Sequence, residues 1–147
     1  IDNSQKMIDQ WRTKTNYSDS SITLSEATDF DYKPFDCAVL FLVLMFVSFN
    51  KRKELLLKLF DLCSDGGIII IVDKSEQPKG YYGTAVHRMT LNGKINQGID
   101  PKEIIEKELS LQGIQRPIRF EYLLTGFSPK EFFRFGEFFG VLIEKGI

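Results

Sequence analysis

Histidine occurs once in this chain, as His87, and cysteine twice, as Cys37 and Cys63. No Cys/His group has metal-ligand spacing, so no zinc or other metal site is expected. Both cysteines sit in apolar stretches and read as buried free thiols. Charge of one sign is equally scarce: 19 Lys+Arg against 20 Asp+Glu leave a net charge of -1. That excludes a globally basic nucleic-acid coat and an acidic disordered tail, while leaving room for a local basic patch. Long hydrophobic runs are missing too. The longest spans residues 37–47, well short of the about 20 residues that a membrane-spanning helix needs. The opening Ile1-Asp2-Asn3-Ser4 turns polar at once, unlike a secretory signal, and the composition suits a cytoplasmic protein with no membrane contact. The chain starts on Ile rather than Met, so its natural beginning is expected upstream.

What is present suffices for a core. The 147 residues are 43% hydrophobic, and a chain of this length buries roughly 68–70% of its unfolded surface without disulfide or metal staples. Residues 4–14 read as a helix, with Ser4 or Asn3 as cap and Met7, Ile8 and Trp11 at helical spacing. Residues 16–21 are a loop by composition. Ile22, Leu24 and Ala27 suggest a short strand. Residues 35–44 are continuously apolar, which predicts a central strand buried on both faces of a parallel sheet. Residues 51–63 predict an amphipathic helix with Leu55, Leu56, Leu59, Phe60 and Cys63 on one side, stopped by Asp65-Gly66-Gly67. Residues 68–72 predict a second buried strand ending at Asp73-Lys74. Strand, helix and strand make a right-handed βαβ unit.

Between residues 75 and 98 the pattern breaks at Pro78, several glycines, Tyr81-Tyr82 and His87-Arg88, which reads as an insertion or lid, extending to about residue 112. Asp100-Pro101 opens a helix that carries Ile104, Ile105 and Leu109. Pro117 starts a further helix over residues 118–124, closed by Gly126. Residues 131–145 predict an antiparallel hairpin. The fold class is α/β: a Rossmann-like open, mostly parallel twisted sheet with a C-terminal antiparallel hairpin, incomplete at its N-terminal side.

Such sheets bind ligands at the carboxyl ends of their strands. Three such ends are Asp2, residues 41–44 and Asp73-Lys74. A carboxylate leading into a helix can accept from both ribose hydroxyls, and Asp2 reads equally as a helix cap. Asp73 and Lys74 read as the reactive face or as a surface ion pair. His87 reads as a base or as plain surface. Tyr81 and Tyr82 could stack on a base or ring, and the interleaved Lys79, Arg88 and Lys94 hint at a phosphate-bearing substrate.

Several motifs resemble class I S-adenosylmethionine-dependent methyltransferases. Asp2-Asn3-Ser4-x-x-Met7 is similar to the end of their second strand and the helix that follows. Phe35-Asp36-Cys37-Ala38-Val39-Leu40 resembles their fourth strand. Leu62-Cys63-Ser64-Asp65-Gly66-Gly67-Ile68 resembles the L-x-P-G-G turn into the fifth, with Asp65 in place of the proline. The terminal aromatic hairpin distinguishes this family from nicotinamide-binding Rossmann enzymes. Within it, the chain looks most like enzymes that modify the wobble uridine of tRNA with carboxy-S-adenosylmethionine. The shared features are the I-D-N-S-x-x-M opening, Asp73-Lys74, and Gly126-Phe127 before the hairpin. It departs from them at Phe41, where they carry Asn, and at Lys107-Glu108, where they carry Arg. Their Gly-rich first motif does not occur in the sequence.

The resemblance implies S-adenosylmethionine as cofactor. Asp2 would hold the ribose with Asn3 beside it, Glu26 and Ala27 would frame the adenine, Met7 would cover the adenosine and Phe41 would pack nearby. Met7 also reads as core, and Glu26 as solvated surface. The expected reaction is methyl transfer to an RNA base or small molecule, with Asp73, Lys74 and His87 as catalytic candidates and Tyr81, Tyr82 and Arg88 facing the substrate. A non-catalytic or truncated binding subunit of the same fold is the alternative. Residues 1–147 would form the C-terminal two-thirds of a methyltransferase domain. The family's first strand would lie beside residues 35–44, so without it that strand is an open apolar edge. The chain alone is then expected to be unstable. Upstream residues, a homodimer mate or a partner chain would supply the missing strand.

Overall fold

Two apolar segments paired in parallel across a connecting helix organise the chain. The computed structural model describes residues 1–14, 20–77 and 80–146; most of the loop expected over residues 16–21, with Pro78 and Lys79, lies outside the described residues. The elements run α1 (Gln5–Lys14), β1 (Phe35–Phe41), a 3-10 turn (Leu44–Phe46), α2 (Phe49–Leu62), β2 (Cys63–Lys74), α3 (Tyr81–Asn96), α4 (Pro101–Ser110), α5 (Phe120–Leu124), β3 (Lys130–Phe135) and β4 (Phe138–Glu144). The sheet order is β1-β2-β4-β3. β1 pairs with β2 in parallel, and the β3–β4 hairpin adds antiparallel to β2. β1 and β2 stand where the resemblance puts the family's fourth and fifth strands, with the expected hairpin beside the fifth.

One face of the sheet carries the core. Leu40 of β1, Ile69 and Ile71 of β2, and Phe139, Val141 and Ile143 of β4 pack against Leu55, Leu56 and Leu59 of α2 and Leu123 and Leu124 of α5. Each such side chain, fully buried, contributes about 1.5–3 kcal/mol. The alternate residues Ile68, Ile70 and Val72 of β2 point to the other face and are only half-buried.

Several expectations need correction. The strand over residues 35–44 stops at Phe41, because Leu42 takes a left-handed φ of 56° and the chain coils into the 3-10 turn. β1 is not buried on both faces. It is the sheet edge among the described residues, with Val39 62% and Phe41 64% exposed, as the open-edge expectation requires. Cys37 on β1 is exposed for the same reason, while Cys63 is buried. Asp65-Gly66-Gly67 does not stop α2, which already ends at Leu62 with Cys63 extended. These residues lie inside β2, and a side chain on Gly67 would sit 2.7 Å from Cys63 Sγ and 2.8 Å from the Asp36 carbonyl oxygen. The strand expected at Ile22, Leu24 and Ala27 reduces to one parallel bridge between Asp2 and Leu24. Residues 75–98 contain the 16-residue helix α3, in which only Val86 is buried. Its glycines do not break it. Ile118 bridges to Ser75, so α5 starts two residues later than expected, at Phe120. The helix opened by Asp100-Pro101 forms as read: the Asp100 carboxylate accepts from the Lys102 N–H.

Candidate cofactor and substrate site

The Asp2–Leu24 bridge draws the first group of candidates together. The Asp2 N–H donates to the Thr23 carbonyl at 3.2 Å, and the Ser25 N–H donates to the Asp2 carbonyl at 3.0 Å. This backbone pairing places Asp2 directly ahead of α1. Asp2 Oδ1 accepts from the Ser4 N–H at 2.8 Å, which holds the carboxylate in one orientation, while Ser4 Oγ caps α1 by accepting from the Met7 N–H at 3.4 Å. Asn3 Nδ2 donates to Glu26 Oε1 at 3.1 Å, and Ala27 follows, its carbonyl accepting from Tyr32 Oη at 2.9 Å. Met7 is 51% exposed while Ile8 takes the core position, so the reading of Met7 as core is set aside. Phe41 stands exposed at the carboxyl end of β1. A fixed carboxylate beside an acid–amide pair offers acceptors suited to ribose hydroxyls.

Asp73 has a different place from the one read in the sequence. Its side chain is fully buried, because position 73 falls on the same face of β2 as Ile69 and Ile71. Oδ2 accepts from the N–H groups of Leu44 at 2.8 Å and Met45 at 3.3 Å, and Oδ1 from the Lys74 N–H at 2.8 Å. Burial pushes this carboxyl above its usual range, opposed by the three backbone N–H groups and by Arg52. It therefore holds the turn after β1 and presents no oxygen to a substrate. Lys74 points to the other face and pairs with Glu137 Oε1 at 2.9 Å, with its ammonium 5.2 Å from the centre of the Phe138 ring.

Tyr81, Tyr82, His87 and Arg88 all lie exposed on α3. They are brought onto one helix, and α3 is tied to α4 by Lys94 Nζ and Glu108 Oε1 at 2.9 Å. The hydrogen bond from Lys94 holds the Glu108 carboxyl below its usual range, with smaller contributions from the nearby charges of Lys74 and His87. Of Lys107 and Glu108, the nearest positions to the Arg of the resembling enzymes, Glu108 is already engaged.

Arg52 was missed in the sequence. It is 3% exposed, with Nε donating to the Val47 carbonyl at 2.9 Å, Nη1 to that of Pro117 at 3.2 Å, and Nη2 to those of Arg116 at 2.6 Å and Met45 at 3.3 Å. The available signal was its place on the apolar stripe of α2, in helical register with Leu55, Leu56 and Leu59. A shallow depression of about 690 Å³ lies elsewhere, lined by Asp31, Tyr32, Leu57, Lys58, Asp61 and Leu62. It sits toward the amino ends of β1 and β2, and its Tyr32 is the residue that donates to the Ala27 carbonyl. Among the described residues, no group of three His, Cys, Asp or Glu side chains is placed to hold a metal ion, and no helix is long and apolar enough to cross a membrane.

The structure superposes on two methyltransferases of known structure. An O-methyltransferase family protein from Burkholderia thailandensis matches with a TM-score of 0.52 at 12% identity, covering 86% of this chain and 35% of that one. Human N-acetylserotonin methyltransferase, in a complex with S-adenosylmethionine, matches with a TM-score of 0.54 at 16% identity, covering 93% and 38%. The chain has the class I methyltransferase fold. In sequence it is similar to carboxy-S-adenosyl-L-methionine synthases. That of Campylobacter hominis is 27% identical over 119 residues, 80% of this chain and 51% of the synthase. That of Helicobacter hepaticus is 26% identical over 152 aligned positions, 99% of this chain and 64% of the synthase. The chain spans about half the length of the first of these relatives. No protein-family model matches it.

Proposed function

We propose that this chain is the C-terminal two-thirds of an S-adenosylmethionine-dependent methyltransferase domain acting in the cytoplasm on an RNA base or small molecule. The observation that carries the reading is the Asp2–Asn3–Glu26 constellation, held by the Asp2–Leu24 bridge at the mouth of α1. When bound, the cofactor supplies an electrophilic methyl group on a sulfonium. The chain's own residues bind and orient it: Asp2 accepts from the ribose hydroxyls, Glu26 and Ala27 border the adenine, and Met7 and Phe41 cover apolar surface. In-line transfer needs positioning and exclusion of water more than acid–base chemistry. The exposed α3, with Tyr81, Tyr82, His87 and Arg88, is the element that would close over the acceptor. Lys74 and His87 would face it, and Asp73 would act from behind, through the turn it holds. The exposed free thiol of Cys37 suits a reducing compartment. The open edge of β1 is paired in the active assembly, by further residues of the same polypeptide or by another chain.

A second reading is favoured by the name shared by the sequence relatives. Here S-adenosylmethionine is itself the substrate: a carboxylic-acid co-substrate gives up its carboxyl group to the methyl carbon and takes the methyl proton in exchange, and the product is the carboxylated form. Both readings need the same cofactor site.

The deciding experiment is calorimetric titration of S-adenosylmethionine into the native polypeptide and its Asp2→Ala variant. The proposal expects binding that weakens about tenfold or more when the ribose contact is lost, the scale of a hydrogen bond to a charged group. Equal affinity in the variant would remove the ribose assignment, and no binding by either protein would remove the enzyme reading. Analysis of the small-molecule products separates transfer to an acceptor from carboxylation of the cofactor.

A further inference from the structure

Among the described residues, the buried charged side chains are Arg52 and Asp73, and both serve one turn. The turn starts at Leu42, whose φ of 56° is an uncommon conformation for a residue with a side chain. Such conformations persist where the surroundings over-determine them. From one side, Asp73 takes the N–H groups of Leu44 and Met45. From the other, Arg52 gives N–H groups to the carbonyls of Met45 and Val47.

The same guanidinium reaches a third segment. It donates to the carbonyls of Arg116 and Pro117, where the chain returns from α4. Beside it, the Arg116 N–H donates to the Met45 carbonyl at 2.9 Å and the Ile118 N–H to that of Lys74 at 2.7 Å. The root of the α3–α4 pair is therefore fastened to the turn after β1 by this one side chain together with the Arg116–Met45 backbone bond. A planar fork can serve four carbonyls in three directions, which the single ammonium of lysine cannot reproduce.

We propose that Arg52, which shares the turn with Asp73, is a positioning residue that couples the turn after β1 to the return of the α3–α4 segment. The cofactor-side backbone at Phe41 and Leu42 and the root of the helical pair then take their positions together. This deepens the S-adenosylmethionine reading and rests on it only for what the turn faces.

The test is hydrogen–deuterium exchange of the native polypeptide without ligand, comparing wild type with Arg52→Lys and Arg52→Met. Coupling predicts that residues 43–47 and 115–118 speed up together, by roughly tenfold, the scale of one lost charged hydrogen bond. β4 and the second half of α2 should stay unchanged in Arg52→Lys. If residues 43–47 speed up while 115–118 do not, or neither changes, the proposal is overturned. Should Arg52→Met fail to fold, Arg52→Lys alone carries the comparison, since it keeps charge and most of the volume. Titration with S-adenosylmethionine keeps the two claims apart. Coupled exchange in a protein that does not bind it refutes the cofactor reading and leaves the coupling standing. Binding that is weakened about tenfold in Arg52→Lys, alongside coupled exchange, supports both.

Discussion

Replacing Gly67 with alanine should destabilise the protein more than replacing Gly66, although Gly66 has the unusual backbone. A Cβ at Gly67 would lie 2.7 Å from Cys63 Sγ and 2.8 Å from the carbonyl oxygens of Asp36 and Ser64. Two of those three atoms are main chain of β1 and β2 and cannot rotate away, so the parallel pair must part. Overpacking of this kind costs about 1–3 kcal/mol, and the fixed neighbours put this case at the upper end. At Gly66 φ is +76° and nothing lies within 4 Å. The cost there is the left-handed backbone alone, roughly 1–2 kcal/mol. Alanine also restricts the unfolded chain, which offsets about 0.4–1 kcal/mol at either site. At roughly 3 °C per kcal/mol for a chain of this size, the Tm should fall by roughly 7 °C for Gly67→Ala and roughly 2–3 °C for Gly66→Ala. Thermal unfolding followed by circular dichroism of the native polypeptide reads both. Equal losses, or a larger loss at Gly66, would refute the close β1–β2 approach and favour a helix stop at these glycines.

The pH response of Asp73 has a definite sign. Because its folded pKa is raised, first by burial, its stabilisation is complete below the ordinary aspartate range and lost as pH rises through the folded value. The stability of wild type relative to Asp73→Asn should therefore decline as pH rises above the ordinary aspartate range in urea titrations, and a difference that grows with pH would contradict this. Glu108 is the opposite case: lowered by Lys94, its contribution is present above the ordinary glutamate range and lost as pH falls through the folded value. Glu108→Gln should cost under about 1 kcal/mol at neutral pH, since the pair is partly solvated, and nothing in acid. Cys37 should react readily with iodoacetamide where β1 is open and slowly where another strand covers it, while buried Cys63 resists until unfolding. Fast Cys37 labelling in the native assembly would show that the edge is never paired.

The periodic elements were legible in the sequence, and the tertiary roles were not. Leu55, Leu56 and Leu59 announced α2, and Asp100-Pro101 announced α4, because caps and helical spacing are local signals. The isoleucines of β2 and the aromatic hairpin announced the sheet. The reach of β1 was misread since an apolar run does not reveal where its backbone turns: Leu42 ends the strand without glycine or proline. Gly66 and Gly67 looked like a helix stop because a glycine pair reads alike whether it ends a helix or admits a neighbouring strand. α3 was hidden by its own exposure, having only Val86 buried and so no apolar stripe to detect. Asp2, Asn3 and Glu26, candidates that follow from the family resemblance, do stand together: Asn3 bonds Glu26, and Asp2 pairs with Ser25 beside it. The strand-end position of Asp73 suggests a reactive face, but strand alternation puts it on the core face. Arg52 escaped notice because a charge on a helix is ordinarily read as solvated, even in register with three leucines.

The most direct test of the account is hydrogen–deuterium exchange of the native polypeptide with and without S-adenosylmethionine. The account predicts protection confined to residues 2–8, 24–28 and 41–45, where Asp2, Glu26 and Phe41 stand. Protection at residues 31–32 and 54–62 instead, around the depression on α2, would contradict it.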